Sequence, residues 1–265
     1  MIELDHVSLW VAGPPRVDLL CDVSWTVERG EHWAVLGPNG AGKTSLLSIV
    51  SANRHPSAGT ADVLDARLGR VDMRALRERI AVVDAPTGSR LPRALPLHDV
   101  VLTGVTGTVL PRYEKYAASD HERAEAELAV VGLERLRDRR FGDCSHGERA
   151  RALLARALVQ QPDLLLLDEA SGGLDLPARE ALLAAVAGVC RARPDLTSVT
   201  VTHHVEELPP TTTHALLLRD GRTLTSGSVA DVLTDPAMSE TFGLPVRVRH
   251  DDGRWSATAA GSWHP

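Results

Sequence analysis

Gly37-Pro38-Asn39-Gly40-Ala41-Gly42-Lys43-Thr44 decides how this chain folds. It fits G-x-x-x-x-G-K-[ST], and its surroundings suit that pattern. Before it runs Trp33-Ala34-Val35-Leu36, a short apolar stretch ending at glycine, like a strand buried in a parallel sheet. After Gly42, Leu46, Leu47 and Val50 fall on one side of a helix. Small residues let the backbone curl until several N–H groups face one anion. The start of the following helix adds partial positive charge. Lys43 supplies a mobile point charge for the β- and γ-phosphates of a nucleotide, and Thr44 a hydroxyl for Mg²⁺. Ser45 closes the run of residues expected to touch the phosphates.

Outward from this loop, Ile80–Val83, Leu164–Leu167 and Ser198–Thr202 read as further buried strands. Ala215–Leu218 is a weaker one, closed by the turn Asp220-Gly221. Residues 2–9 and 19–28 read as two strands joined across Gly13-Pro14-Pro15. Strands separated by helical stretches predict an α/β protein with a mostly parallel sheet. The segment 86–160 carries almost no strand signal, reads as helix at 97–104 and 120–160, and is expected to be a helical insert in that core. Within it Gly147–Gln160 is an Arg/Ala/Leu helix stopped by Pro162. Val229–Leu233 reads as a short helix. Residues 250–265, with Trp255 and Trp263, read as a frayed tail.

Composition narrows the function classes. The 265 residues carry a net charge of −6, which argues against non-specific nucleic-acid binding. Cys21, Cys144 and Cys190 are too scattered for a zinc site or a disulfide framework. No stretch approaches the 18 apolar residues of a membrane-spanning helix. The first 15 residues contain Glu3 and Asp5 and lack a secretory pattern.

A second chemical site follows the leucine strand. Asp168 and Glu169 stand at its C-terminal end, where open α/β sheets bind ligands. Asp168 suits Mg²⁺, through water. Glu169 diverges from it, as adjacent strand side chains do, and suits a general base that poises a water against the γ-phosphate.

Three further segments carry a family resemblance. Cys144-Ser145-His146-Gly147-Glu148 opens the helix before the leucine strand; Ser171-Gly172-Gly173-Leu174-Asp175 follows Glu169; Thr202-His203-His204 ends a Val/Thr strand. With the two sites above, over about residues 1–235, the chain resembles the ATP-binding cassette (ABC) ATPases, specifically the nucleotide-binding subunit of a transporter. The family signature is usually Leu-Ser-Gly-Gly-Gln or a Glu-ended variant, so Ser145 and Gly147 match while Cys144 and His146 depart. The resemblance implies a P-loop fold with an N-terminal antiparallel β part and a helical subdomain. It implies an ATPase domain over 1–235 and a C-terminal extension over 236–265. It makes ATP and Mg²⁺ the cofactors, Glu169 and His203 catalytic, and Thr44 and Asp168 metal-holding. Ser145 and Gly147 would close on the ATP of a second subunit, so a homodimer or cassette dimer is implied. Ser145 would also cap its helix.

The same resemblance implies a separate membrane permease and a place on the inner face of the cell membrane; from the acidic composition no nucleic-acid partner is expected. Val-Val-Leu-x-Gly at 100–104, the Glu-ended signature and the double histidine look most like subunits grouped with metal or molybdate importers. The runner-up is a soluble ABC ATPase acting in regulation, DNA repair or translation; a third reading is a non-hydrolysing scaffold. The chain departs from the family at Ala170, where a proline is usual, and at Asp84-Ala85-Pro86, where a glutamine near Mg²⁺ is usual. Asp84 would replace that glutamine or stand as a solvated strand end. Trp10, or its neighbour Val11, takes the position of the aromatic that stacks on adenine.

Overall fold

The computed structural model describes residues 1–261, so Trp263 lies outside the described residues. In chain order the elements are β1 (Ile2–Val11), β2 (Val17–Val27), β3 (His32–Leu36), α1 (Lys43–Val50), β4 (Ala58–Val63), β5 (Ala66–Arg67), α2 (Met73–Glu78), β6 (Ile80–Asp84), α3 (Ala85–Arg90), α4 (Leu97–Val105), α5 (Ala118–Val130), α6 (His146–Leu158), β7 (Leu164–Asp168), α7 (Leu176–Ala192), β8 (Thr197–Thr202), β9 (His214–Arg219), β10 (Arg222–Ser228), α8 (Val229–Val232), α9 (Asp235–Phe242), β11 (Val246–Asp251) and β12 (Arg254–Ala259). They gather into two compact units, one from residues 1–77 with the chain from Thr197 onward, the other from residues 78–196.

In the first unit β2, β1, β4 and β5 form an antiparallel sheet in that order. Ile2, Leu4, Val7 and Leu9 of β1 are buried between exposed or half-buried neighbours, the alternation of a half-covered strand, shifted by one residue at Asp5-His6. β3 lies between β8 and β9 and is parallel to both, and β10 pairs antiparallel with β9. Their runs Trp33–Leu36, 197–202 and 215–218 are buried without alternation, because both faces are covered. In the second unit β6 and β7 are parallel, with Asp84 opposite Asp168. Leu97, Val100 and Val101 of α4, Leu128 of α5, Leu154 and Leu158 of α6 and Leu165 of β7 share one core there.

Two expectations change. The helical reading of 120–160 resolves into α5 and α6, because Gly132 turns the chain at φ +69° and Ser145 starts a new helix. The segment 86–160 nonetheless contains no named strand. The tail is not frayed through residue 259: β11 and β12 pair over six residues each around Asp252-Gly253. Both turn residues have positive φ, 49° and 75°, the geometry of a tight hairpin turn. Trp255 stacks on His250 with ring centroids 4.3 Å apart.

Candidate nucleotide site

The loop from Gly37 to Thr44 joins β3 to α1. Gly37 is packed so closely that a Cβ there would lie 2.1 Å from the Leu218 carbonyl oxygen. Gly42 caps α1 at φ +99°, a conformation L side chains rarely adopt. The loop is pinned from outside: the Gly221 N–H donates to the Ala41 carbonyl at 3.0 Å and the Cys21 N–H to the Gly221 carbonyl at 2.8 Å. Within it the Ala41 N–H donates to the Pro38 carbonyl at 3.1 Å. Beside Gly40 a Cβ would meet nothing within 4 Å, so the loop is open on that side. Asn39, Gly40 and Thr44 are exposed, Pro38 and Ser45 half-buried. Lys43 is 6% exposed, and its Nζ donates to the carbonyls of Gly37 at 2.7 Å and Pro38 at 3.1 Å. The ammonium is thereby folded back over the loop rather than extended into water. The first-turn amides of a helix have no intrahelical acceptor, so the start of α1 and this ammonium form a cradle of one electrostatic sign.

Strand register brings His203 to the same edge. Leu36 pairs with Thr202 across β3 and β8, so the loop and His203 leave neighbouring strands at matching ends. The turn after β8 is tied internally: the His204 N–H donates to Thr202 Oγ1 at 3.0 Å, and Thr202 Oγ1 donates to buried Glu207. The His203 and His204 rings lie 4.0 Å apart. Trp10, next to last in β1, is half-buried beside exposed Val11, and the Arg16 guanidinium lies 3.9 Å over its ring. Asp18 holds that guanidinium through Arg16 Nε at 2.6 Å.

In the second unit the paired ends of β6 and β7 carry Asp84 and Asp168. Asp168 is half-buried and Glu169 exposed. Glu169 has φ +48°, uncommon for a residue with a side chain, and such outliers cluster at functional sites. The turn after it closes through the Gly172 N–H to the Glu169 carbonyl at 2.9 Å, and Asp175 caps α7 by accepting from Ala178 at 3.0 Å. Ser145 caps α6: its Oγ accepts from the Glu148 N–H at 3.2 Å, and Glu148 Oε2 accepts from the Ser145 N–H at 2.7 Å. The bond from the Ser145 backbone, above all, holds the Glu148 carboxyl below its ordinary value of 4.5. Gly147 is buried against α7, where a Cβ would sit 2.5 Å from that of Ala178. A cavity of about 420 Å³ brings Glu169, Ala170, Gly172, His146 and Asp84 together.

Asp84 is not a solvated strand end. Its Oδ1 accepts from the Thr87 N–H at 2.8 Å and caps α3, with Pro86 in the first turn. The signal was present in Asp84-Ala85-Pro86-Thr87, an acceptor followed by an early proline. Ser145-x-x-Glu148 was likewise a legible capping box.

The family profile described as "ABC transporter" matches residues 20–172. This chain belongs to the ABC transporter family. The cassette is 36% identical to the ABC transporter ATP-binding protein YlmA of Bacillus subtilis over 261 residues, covering 98% of this chain and 97% of the relative. It is 35% identical over 239 residues to the cobalt import ATP-binding protein CbiO of Rhodobacter capsulatus, covering 89% and 82%. Among solved structures, the fold matches that of the ATP-binding cassette MJ0796, a dimer in a post-hydrolysis state bound to ADP and Pi, with TM-score 0.74 at 22% identity over 86% of this chain and 99% of that one. The fold is therefore the P-loop ABC type, mixed and mostly parallel. No helix among the described residues is long and apolar enough to cross a membrane.

Proposed function

We propose that this cassette is the ATP-hydrolysing subunit that powers an ABC transporter through a separate permease, in metal or molybdate import. The observation that carries the reading is the cradle at Gly37–Thr44, with Lys43 buried over its carbonyls. The name of the Rhodobacter relative supports the metal assignment.

In this reading Gly37, Pro38, Asn39, Gly40, Ala41, Gly42, Lys43, Thr44 and Ser45 receive the phosphates of ATP. Mg²⁺ takes one or two protein oxygens and fills the rest of its octahedron with phosphate and water. A hydroxyl from Thr44 and a carboxylate from Asp168 fit that demand. Among the described residues no group of three or more His, Cys, Asp or Glu side chains gathers as a metal site of its own. The ion would neutralise charge developing on the transferred phosphoryl group. Glu169 accepts the proton of the attacking water, and His203 donates to the γ-phosphate. One face of Trp10 carries Arg16, and adenine stacks on the other or lies against Val11.

Ser145 and Gly147 meet the nucleotide held by a second subunit, so ATP closes a cassette dimer and hydrolysis reopens it. The dimeric MJ0796 cassette supports this. Residues 1–235 make up the ATPase domain, with the helical subdomain at 86–160, and 236–265 an extension. The site of action is the cytoplasmic face of the cell membrane.

Affinity capture of the tagged cassette from detergent-solubilised native membranes tests the transport reading. A multi-span membrane protein is expected in stoichiometric amount. Capture without any integral membrane protein contradicts it and favours a soluble ABC ATPase.

A further inference from the structure

The β11–β12 hairpin is bonded to the residues immediately after His203. The Ala257 N–H donates to Glu206 Oε1 at 2.9 Å, and Arg254 Nη2 donates to the Glu206 carbonyl at 2.8 Å. One residue of the turn is thus gripped by side chain and main chain at once. The hairpin is itself fixed: the Val248 N–H donates to Asp235 Oδ1 at 2.7 Å, and the Val246 N–H to Ser239 Oγ at 2.8 Å, both on α9. Val246, Val248, Trp255 and Ala257 pack in one cluster with Val205, Leu208 and Met238. A small cavity of about 180 Å³ is lined by His203 and His204 together with Phe242, Leu244 and Ala257.

We infer that Glu206 is a positioning residue for His203, and that the C-terminal hairpin is the clamp that holds it. This rests on the reading of His203 as the donor to the γ-phosphate. Thr202 and Glu207 tie the two ends of the turn to each other by their own hydrogen bond. The hairpin ties this internally bonded turn to the rest of its unit; without those bonds the turn shifts as a body, and a donor displaced by even 1 Å loses much of its effect.

The test uses the full chain. Glu206→Ala lowers kcat by about 10- to 100-fold, the scale on which small misplacements act, while KM for ATP stays within about twofold, since the loop at Gly37–Thr44 still holds most of the ground state. Glu206→Gln retains an oxygen that accepts from Ala257, so its kcat stays near wild type. In isotope-labelled protein the His203 ring resonances shift or broaden in Glu206→Ala and not in Glu206→Gln. Arg254→Met, which keeps the stem and loses the carbonyl grip, moves them the same way and serves if Glu206→Ala folds poorly. Unaltered His203 resonances and wild-type kcat in Glu206→Ala overturn the clamp. So does an equal loss in the Ala and Gln variants, which would mean charge and not position. His203→Ala separates the two claims: wild-type turnover there removes the role of His203, and the resonances still decide the clamp.

Discussion

Lys43 concentrates the argument at the residue scale. A buried ammonium is tolerated when it is hydrogen-bonded, and the carbonyls of Gly37 and Pro38 provide that. Lys43→Ala removes this hydrogen-bonded charge but little apolar core area. MgATP affinity should therefore fall by about tenfold or more, the loss of one charge-assisted contact of about 1.5–3 kcal/mol, with the unfolding midpoint nearly unchanged. Calorimetric titration reads the first quantity and thermal melting the second; equal affinity in both proteins contradicts the assignment. Glu148 makes a pH prediction. Its folded carboxyl is held below 4.5, so the stability it contributes is present above that pH and is lost as pH falls through the lowered value. Glu148→Gln keeps an acceptor for the Ser145 N–H but does not titrate. At pH 7 it should be less stable by about 0.3–1 kcal/mol, the value of a charge at a helix N-terminus. That difference should shrink below pH 4.5, as denaturant midpoints at several pH values would record. A gap that widens on acidification contradicts the capping assignment.

At the scale of elements, β7 and α3 show what a sequence exposes and what it conceals. Leu164–Leu167 are each at most 3% exposed, as an uninterrupted apolar run implies. Leu166→Ala should cost about 2–5 kcal/mol, read from denaturant unfolding. The phosphate loop was equally legible, because only glycine fits at Gly37 and Gly42 and the lysine follows at fixed spacing. Asp84 was harder, because a carboxylate at a strand end and one at a helix start look alike until the next N–H groups are placed. Here the next helix begins at once, and the carboxylate turns to Thr87. Asp84→Ala should destabilise the fold by about 0.5–2 kcal/mol, the range for a lost N-cap. The magnesium dependence of ATPase rate should superimpose on that of wild type; a several-fold rise in the magnesium needed would restore Asp84 as a metal-side residue. The hairpin was missed because Val246-Arg247-Val248-Arg249 alternates too briefly to outweigh the polar residues around it. The Asp252-Gly253 turn was the clue. His203 is marked in the sequence only by its place relative to other motifs, and the bonds to nearby Glu206 come from residues some 50 positions away.

The whole molecule presents its chemistry at strand ends. In one unit Leu36 and Thr202 stand in register just before the phosphate loop and His203. In the other Asp84 and Asp168 stand in register just before α3 and Glu169. Ser145 and Gly147 open α6 in that second unit, and in the proposed mechanism they complete the site of a second copy of the cassette. Glu169→Gln isolates the central claim, since it preserves shape and removes the base. Steady-state phosphate release should fall by about 10²–10⁴-fold, the usual contribution of a positioned base, while MgATP binding survives and a nucleotide-bound dimer accumulates. Release at the wild-type rate would contradict the account.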